Sequence, residues 1–243
     1  MEPTLVVLLY ASIAAAAAPL GALPLVGRPQ LPRAAIGWAN ALASGAMLGV
    51  AYALMSQGLD LGAAVGAAGA VLGIVFVFWT HVASGTEDLD LNRLEDTSPE
   101  YGYKVLLVTG LHSASEGVAI GAAMAVSLPF GIFTAIAMAL HNIPEATVLC
   151  AIFRSRGTPL ASAAGLSVVS DVSQVMMAVV TFALVAAAPS LLPWALGFAF
   201  GSLIYLTMAE LLPESYREAG HTTIALVTIV AMGIVVLLGG VGL

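Results

Sequence analysis

Apolar windows long enough to cross a lipid bilayer recur along the whole chain, at about 4–25, 35–57, 62–83, 101–127, 130–153, 158–187, 191–212 and 222–242. A hydrocarbon core of roughly 30 Å takes about 20 apolar residues in helical form. These windows, bounded by proline, glycine and charge, therefore predict eight transmembrane helices that occupy nearly all of 243 residues. Charged residues make up 9% and the mean hydropathy is +1.02, which no soluble domain sustains. Helices are the expected form because each satisfies its own backbone groups in lipid. A closed barrel would need alternating strands, a pattern the sequence lacks. The fold class is an all-α integral membrane protein, one polytopic domain over residues 1–243. Leu5 to Ala18 could pass for a secretory signal, but Glu2 stands where such a signal carries Lys or Arg. It is read as a retained first helix.

The seven basic residues orient the helices. Arg28 and Arg33 fall between the first two windows, Arg93 and Lys104 between the third and fourth, Arg154 and Arg156 between the fifth and sixth, and Arg217 between the seventh and eighth. By the positive-inside rule those odd-numbered loops are cytoplasmic, which puts both termini outside the cell (inner) membrane. Residues 82–100 form the one long polar connection, with a cytoplasmic loop at 84–100. Its Glu87, Asp88, Asp90, Glu95, Asp96 and Glu100 read either as a solvated loop or as an acidic surface that receives cations.

With 14 acidic residues against 7 basic ones, the surface is wrong for nucleic acid. The single cysteine, Cys150, lies in an apolar run and reads as packing, and no prosthetic group is expected. Gly45/Gly49, Gly62/Gly66, Gly69/Gly73, Gly117/Gly121 and Gly197/Gly201 have the spacing that lets helices approach closely in lipid. Ala43-Ser44-Gly45 to Leu48 resembles Ala199-Phe200-Gly201 to Ile204 in a window of opposite sense, and a 3+2+3 inverted-repeat arrangement is expected.

Chemistry enters with the ionisable residues that a bilayer excludes at about 2.5 to 3.5 kcal/mol each. Glu116, Glu145 and Asp171 are such residues, accompanied by His112 and His141. Counted from the window ends, His112, His141 and Asp171 lie roughly 16 to 20 Å deep, so all five can sit near one midplane level on three successive helices. His112 and Glu116 are four residues apart, as are His141 and Glu145, so each pair shares a helix face. Two imidazoles with three carboxylates suit a divalent transition metal. Pro144, inside His141-Asn142-Ile143-Pro144-Glu145, is expected to loosen its turn, as broken helices do at transporter sites.

Leu140-His141-Asn142-Ile143-Pro144-Glu145 resembles the fifth-helix signature of the ZIP (Zrt/Irt-like) family of divalent-metal transporters, bacterial type. Leu111-His112-Ser113-Ala114-Ser115-Glu116-Gly117 resembles its fourth-helix signature. Leu166-Ser167 with Asp171 is similar to its sixth helix, and Gly201-Ser202-Leu203-Ile204-Tyr205 through Glu210-Leu211-Leu212-Pro213-Glu214 to the end of its seventh. The resemblance implies a paired metal site: His112, Glu116, His141 and Glu145 at the main position, and Ser113, Asn142 and Asp171 toward a second. Met47 falls where some members place a soft ligand, and packing is its other reading. Also implied are passage toward the cytoplasm and a homodimer. Channel-like and carrier-like movement are both open, and the favoured one is a carrier in which the fourth, fifth and sixth helices move with the first against the others.

Ser113 and Ser115 replace the family's usual Asn and Pro, so the second position is expected to be the weaker. The second helix ends Leu54-Met55-Ser56-Gln57 without a His or Glu, and the loop has no histidine cluster. His81 and His221 read as interfacial side chains, and Glu210 and Glu214 either as aids to a cytoplasmic exit or as solvated helix ends. Zn²⁺ is the leading cargo, with Fe²⁺, Mn²⁺ and Cd²⁺ unranked behind it. A membrane-embedded zinc hydrolase would favour a compact three-ligand set with an open water position. A non-transporting metal-binding membrane protein would bind without flux.

Overall fold

A computed structural model describes residues 2–28, 30–86 and 99–242, and no strand occurs among them. Helix α1 (Pro3–Ala15) continues through a 3₁₀ segment (Ala18–Leu25), where Pro19 and Pro24 deny the chain regular α-helical bonding. There follow α2 (Arg33–Ser84), α3 (Pro99–Val126), α4 (Leu128–Ser155), α5 (Leu160–Ser170), α6 (Val172–Ala187), α7 (Leu192–Leu206), a π turn (Thr207–Leu211), α8 (Leu212–Ala219) and α9 (His221–Gly242). Seven of the resulting helical stretches are long and apolar enough to cross a membrane.

Helix α2 holds the predicted windows 35–57 and 62–83 as two helical limbs, and differs from expectation only in having no loop of several residues between them. The two limbs meet at Gly62, whose φ of +154° and ψ of 92° are open to glycine alone. A Cβ on Gly66 would stand 3.3 Å from the carbonyl oxygen of Gly58. In a straight helix those residues would be about 12 Å apart. The chain therefore doubles back at Gly62, and the two limbs run in opposite senses.

Glycine contacts give the other helix directions. Gly45 meets Thr228 and Ala231 while Gly49 meets Val235, so the first limb of α2 runs parallel to α9. Gly197 abuts Gly66 and Gly201 abuts Ala70, which makes the second limb parallel to α7. Gly117 faces Gln174 and Gly121 faces Ala178, so α3 and α6 also run together. A methyl group at any of these glycines would push into a neighbour, which is why small residues hold the interior. Large apolar side chains such as Ile13, Val71, Trp79, Ile229 and Leu237 point outward instead, as lipid requires.

Two further boundaries differ from expectation. The window 158–187 is interrupted at Asp171, and the window 191–212 extends through the polar α8 to Ala219. Pro144 does not break its helix, since α4 is continuous from Leu128 to Ser155. Helix α2 ends at Ser84 and α3 begins at Pro99, and most of the loop expected at 84–100 lies outside the described residues. Glu87, Asp88, Asp90, Arg93, Glu95 and Asp96 lie outside the described residues.

Candidate metal centre

Helices α3 and α4 bring Glu116, His141 and Glu145 together, with one ligand atom from each inside 4.8 Å of the others. His141 Nε2 lies 3.0 Å from Glu116 Oε1 and 3.4 Å from Glu145 Oε2. Its other nitrogen, Nδ1, is 3.0 Å from the backbone carbonyl of Ala43 in α2. A carbonyl only accepts, so Nδ1 carries the hydrogen and the lone pair of a neutral ring lies at Nε2. With the ring neutral that lone pair meets the two carboxylate oxygens, and with the ring protonated Nε2 donates to Glu116 Oε1. Glu116 is 0% exposed and the Glu145 side chain 14%, and Glu116 Oε2 has no hydrogen-bond partner among the described residues. Two carboxylates this enclosed call for positive charge between them, and imidazole with two carboxylates suits a divalent transition metal in that place.

His112 does not join this cluster, although it shares a face of α3 with Glu116. Its Nε2 lies 2.9 Å from Glu210 Oε2, while His81 Nε2 lies 3.1 Å from Glu210 Oε1. The His81 and His112 rings are 6.0 Å apart, and the three residues form a second ligand cluster. The cause is the chain around Glu210. Pro213 has no N–H to offer the preceding turn, and the backbone passes Thr207–Leu211 as a π turn that carries Glu210 between the histidines. His81 is buried, so the interfacial reading of that residue is corrected. Thr86, just beyond the left-handed cap at Gly85, lies 3.2 Å from its Nδ1. His221 is exposed, its ring tilted 31° to that of Tyr216 with centroids 5.1 Å apart, whereas Glu214 is buried.

The residues assigned to a second position meet beside the first cluster. Ser113 Oγ donates to Asp171 Oδ1 at 2.9 Å, and Asn142 Nδ2 lies 3.4 Å from Asp171 Oδ2. Gln174, which the sequence reading passed over, accepts from Asn142 Nδ2 at 2.9 Å. It sits three residues after Asp171 in an apolar stretch, and that polar residue one turn from a buried acid was the available signal. A narrow crevice touching Thr109, Asn142, Glu145, Ser167, Ser170 and Asp171 connects the two groups. Met47 is buried one turn beyond Ala43, with the Thr207 hydroxyl 3.7 Å from its sulfur.

Long apolar helices around clusters of imidazole and carboxylate that could hold a metal ion define a helical membrane protein with candidate metal sites in its bundle. The chain belongs to the ZIP zinc transporter family, whose model matches residues 83–240. It is 31% identical over 224 residues to a protein of Arabidopsis thaliana provisionally named a zinc transporter, covering 90% of this chain and 36% of that one. With the zinc transporter GufA of Myxococcus xanthus it shares 28% over 219 residues, 84% of this chain and 86% of the relative. A third relative, zinc transporter ZIP13 of Pongo abelii, is 29% identical over 131 residues, 52% of this chain and 39% of that one. The chain thus spans about a third of the Arabidopsis protein and most of GufA.

Proposed function

We propose that this chain carries divalent transition metal, zinc foremost, across the cell membrane toward the cytoplasm. The observation that carries this reading is the convergence of His141 Nε2 with the Glu116 and Glu145 carboxylates inside the helical bundle, one ligand atom from each within 4.8 Å of the others. They constitute the main position, with Ser113, Asn142 and Asp171 toward a second and Met47 as a candidate soft ligand. Fe²⁺, Mn²⁺ and Cd²⁺ are alternative cargoes for the same donor set.

Counting the limbs of α2 separately gives eight crossings. The distribution of basic residues places both termini outside an inner membrane and the start of α3 on the cytoplasmic side. His112 is then about 6 Å nearer the cytoplasm than Glu116. The His81, His112 and Glu210 cluster becomes the next station on the way in, which gives His112 a role in release. A carrier in which α1 and α3 to α6 move against α2, α7 and α9 fits a site whose His141 leans on the backbone of α2. A homodimer is part of the reading.

The test is zinc uptake into liposomes containing the purified protein, with a lipid-hydrolysis assay alongside. Uptake that depends on the protein, without hydrolysis, is expected. Binding without flux would overturn the proposal. Topology has its own check: cysteines introduced at Arg28, Arg156 and Arg217 should react with an impermeant thiol reagent from the cytoplasmic face alone. Labelling of two of them from outside intact cells would reverse the orientation.

A further inference from the structure

Gln174 lies on the first turn of α6, three residues past Asp171 and so on the same helix face. It is completely buried, and its backbone has nowhere to go. A Cβ on Gly117, the residue after Glu116, would collide with the Gln174 carbonyl oxygen. The side chain is therefore fixed relative to both the main ligands and Asp171.

Hydrogen counting around Asn142 gives this placement a consequence. The Asn142 amide nitrogen has two hydrogens. Three acceptors surround it: Gln174 Oε1 at 2.9 Å, the Ala14 carbonyl at 3.1 Å and Asp171 Oδ2 at 3.4 Å. The two nearer acceptors take the larger share of the hydrogens, and the bond to the carboxylate oxygen is the longest and weakest of the three. Asp171 Oδ1 is already engaged by Ser113. Asn142 Oδ1 has no hydrogen-bond partner among the described residues, so the same arrangement leaves a neutral oxygen ligand unused.

We infer that Gln174 is a positioning residue for the second metal position: by accepting an amide hydrogen from Asn142, it leaves Asp171 Oδ2 only a long, weak bond that a divalent ion readily displaces. The inference rests on the reading of Ser113, Asn142 and Asp171 as that position. Without the Gln174 oxygen the count becomes two hydrogens for two acceptors. Asp171 Oδ2 then accepts a charge-assisted hydrogen bond, which an incoming ion must break. Gln174 touches no ion itself and acts through the partner of a ligand, as outer residues of metal sites do.

The test is calorimetric titration of the purified protein with zinc, every sample carrying Glu210→Gln to disarm the lower cluster. Gln174→Leu should leave the tighter binding step unchanged and weaken the second by about tenfold, the lower end of what such outer partners contribute. Gln174→Glu, which keeps the acceptor, should retain the second step. In an Asp171→Asn background Gln174→Leu should change nothing further. Gln174→Ala serves if the leucine variant does not fold. An unchanged second step in Gln174→Leu, or an equal loss with and without Asp171, would overturn the inference while leaving the site reading intact. A protein lacking Gln174 substitutions that shows no second step would overturn the two-position reading and this inference with it.

Discussion

The two ligand clusters are built from the same chemistry and differ in how tightly the fold grips them. In the upper one Glu116 is wholly enclosed and His141 is pinned through Nδ1 to the Ala43 backbone. In the lower one a single carboxylate, Glu210, is shared between two histidines, and its side chain is 19% exposed. It rides on a π turn, a helical form with weaker and rarer bonding. A charge that is buried and backbone-braced holds an ion firmly, while one that reaches water exchanges it easily. The contrast fits an upper cluster that selects and a lower cluster that releases.

The sharpest way to break this contrast is to remove the upper carboxylates. Glu116→Ala or Glu145→Ala should lower zinc uptake into liposomes by more than about a hundredfold, since each deletes a direct ligand where even outer partners are worth 10–100-fold. The protein should stay folded without metal, because the mutation also removes a carboxylate that is expensive in the membrane. Wild-type uptake in either variant would refute that ligand. Glu210→Gln should have a smaller effect, about a tenfold slowing of uptake with zinc affinity at the tighter step unchanged. Loss of tight binding in that variant would make the two clusters one site.

Acidity should act on both clusters through competition. Metal binds the deprotonated imidazole and carboxylate, so binding releases protons and weakens as pH falls. Uptake should therefore drop several-fold from about pH 7.5 to 5.5, across the range in which an ordinary histidine titrates. A flat profile over that interval would show that protons do not contend for the ligands.

How much of this was legible beforehand depends on what kind of information each feature needs. Window length and charge placed the helices, and the spacing of His141 to Glu145 placed those two side chains on one face. The break between 57 and 62 was legible, but not that a single glycine, Gly62, makes the whole connection. Pro144 looked like a breaker, yet α4 stays intact where the 3₁₀ segment packs Gly21 against Ile143 and Thr147. The break falls at Asp171, where Ser170 and Ser173 hydroxyls bond backbone carbonyls and compete with helical amides. Depth and facing put His112 beside Glu116, but they say nothing of what stands across the interface. That required knowing that the π turn before Pro213 brings in Glu210, ninety-eight residues away in sequence.

Zinc should fill the upper cluster first, and X-ray absorption at the zinc edge with one equivalent of metal reads this directly. Each imidazole contributes a recognisable scattering pattern, and the clusters differ in imidazole number: His141 alone in the upper, His81 and His112 in the lower. The account predicts a single imidazole with oxygen ligands at about 2.0 to 2.2 Å, unaltered by Glu210→Gln. Two imidazoles at one equivalent, lost in that variant, would contradict it.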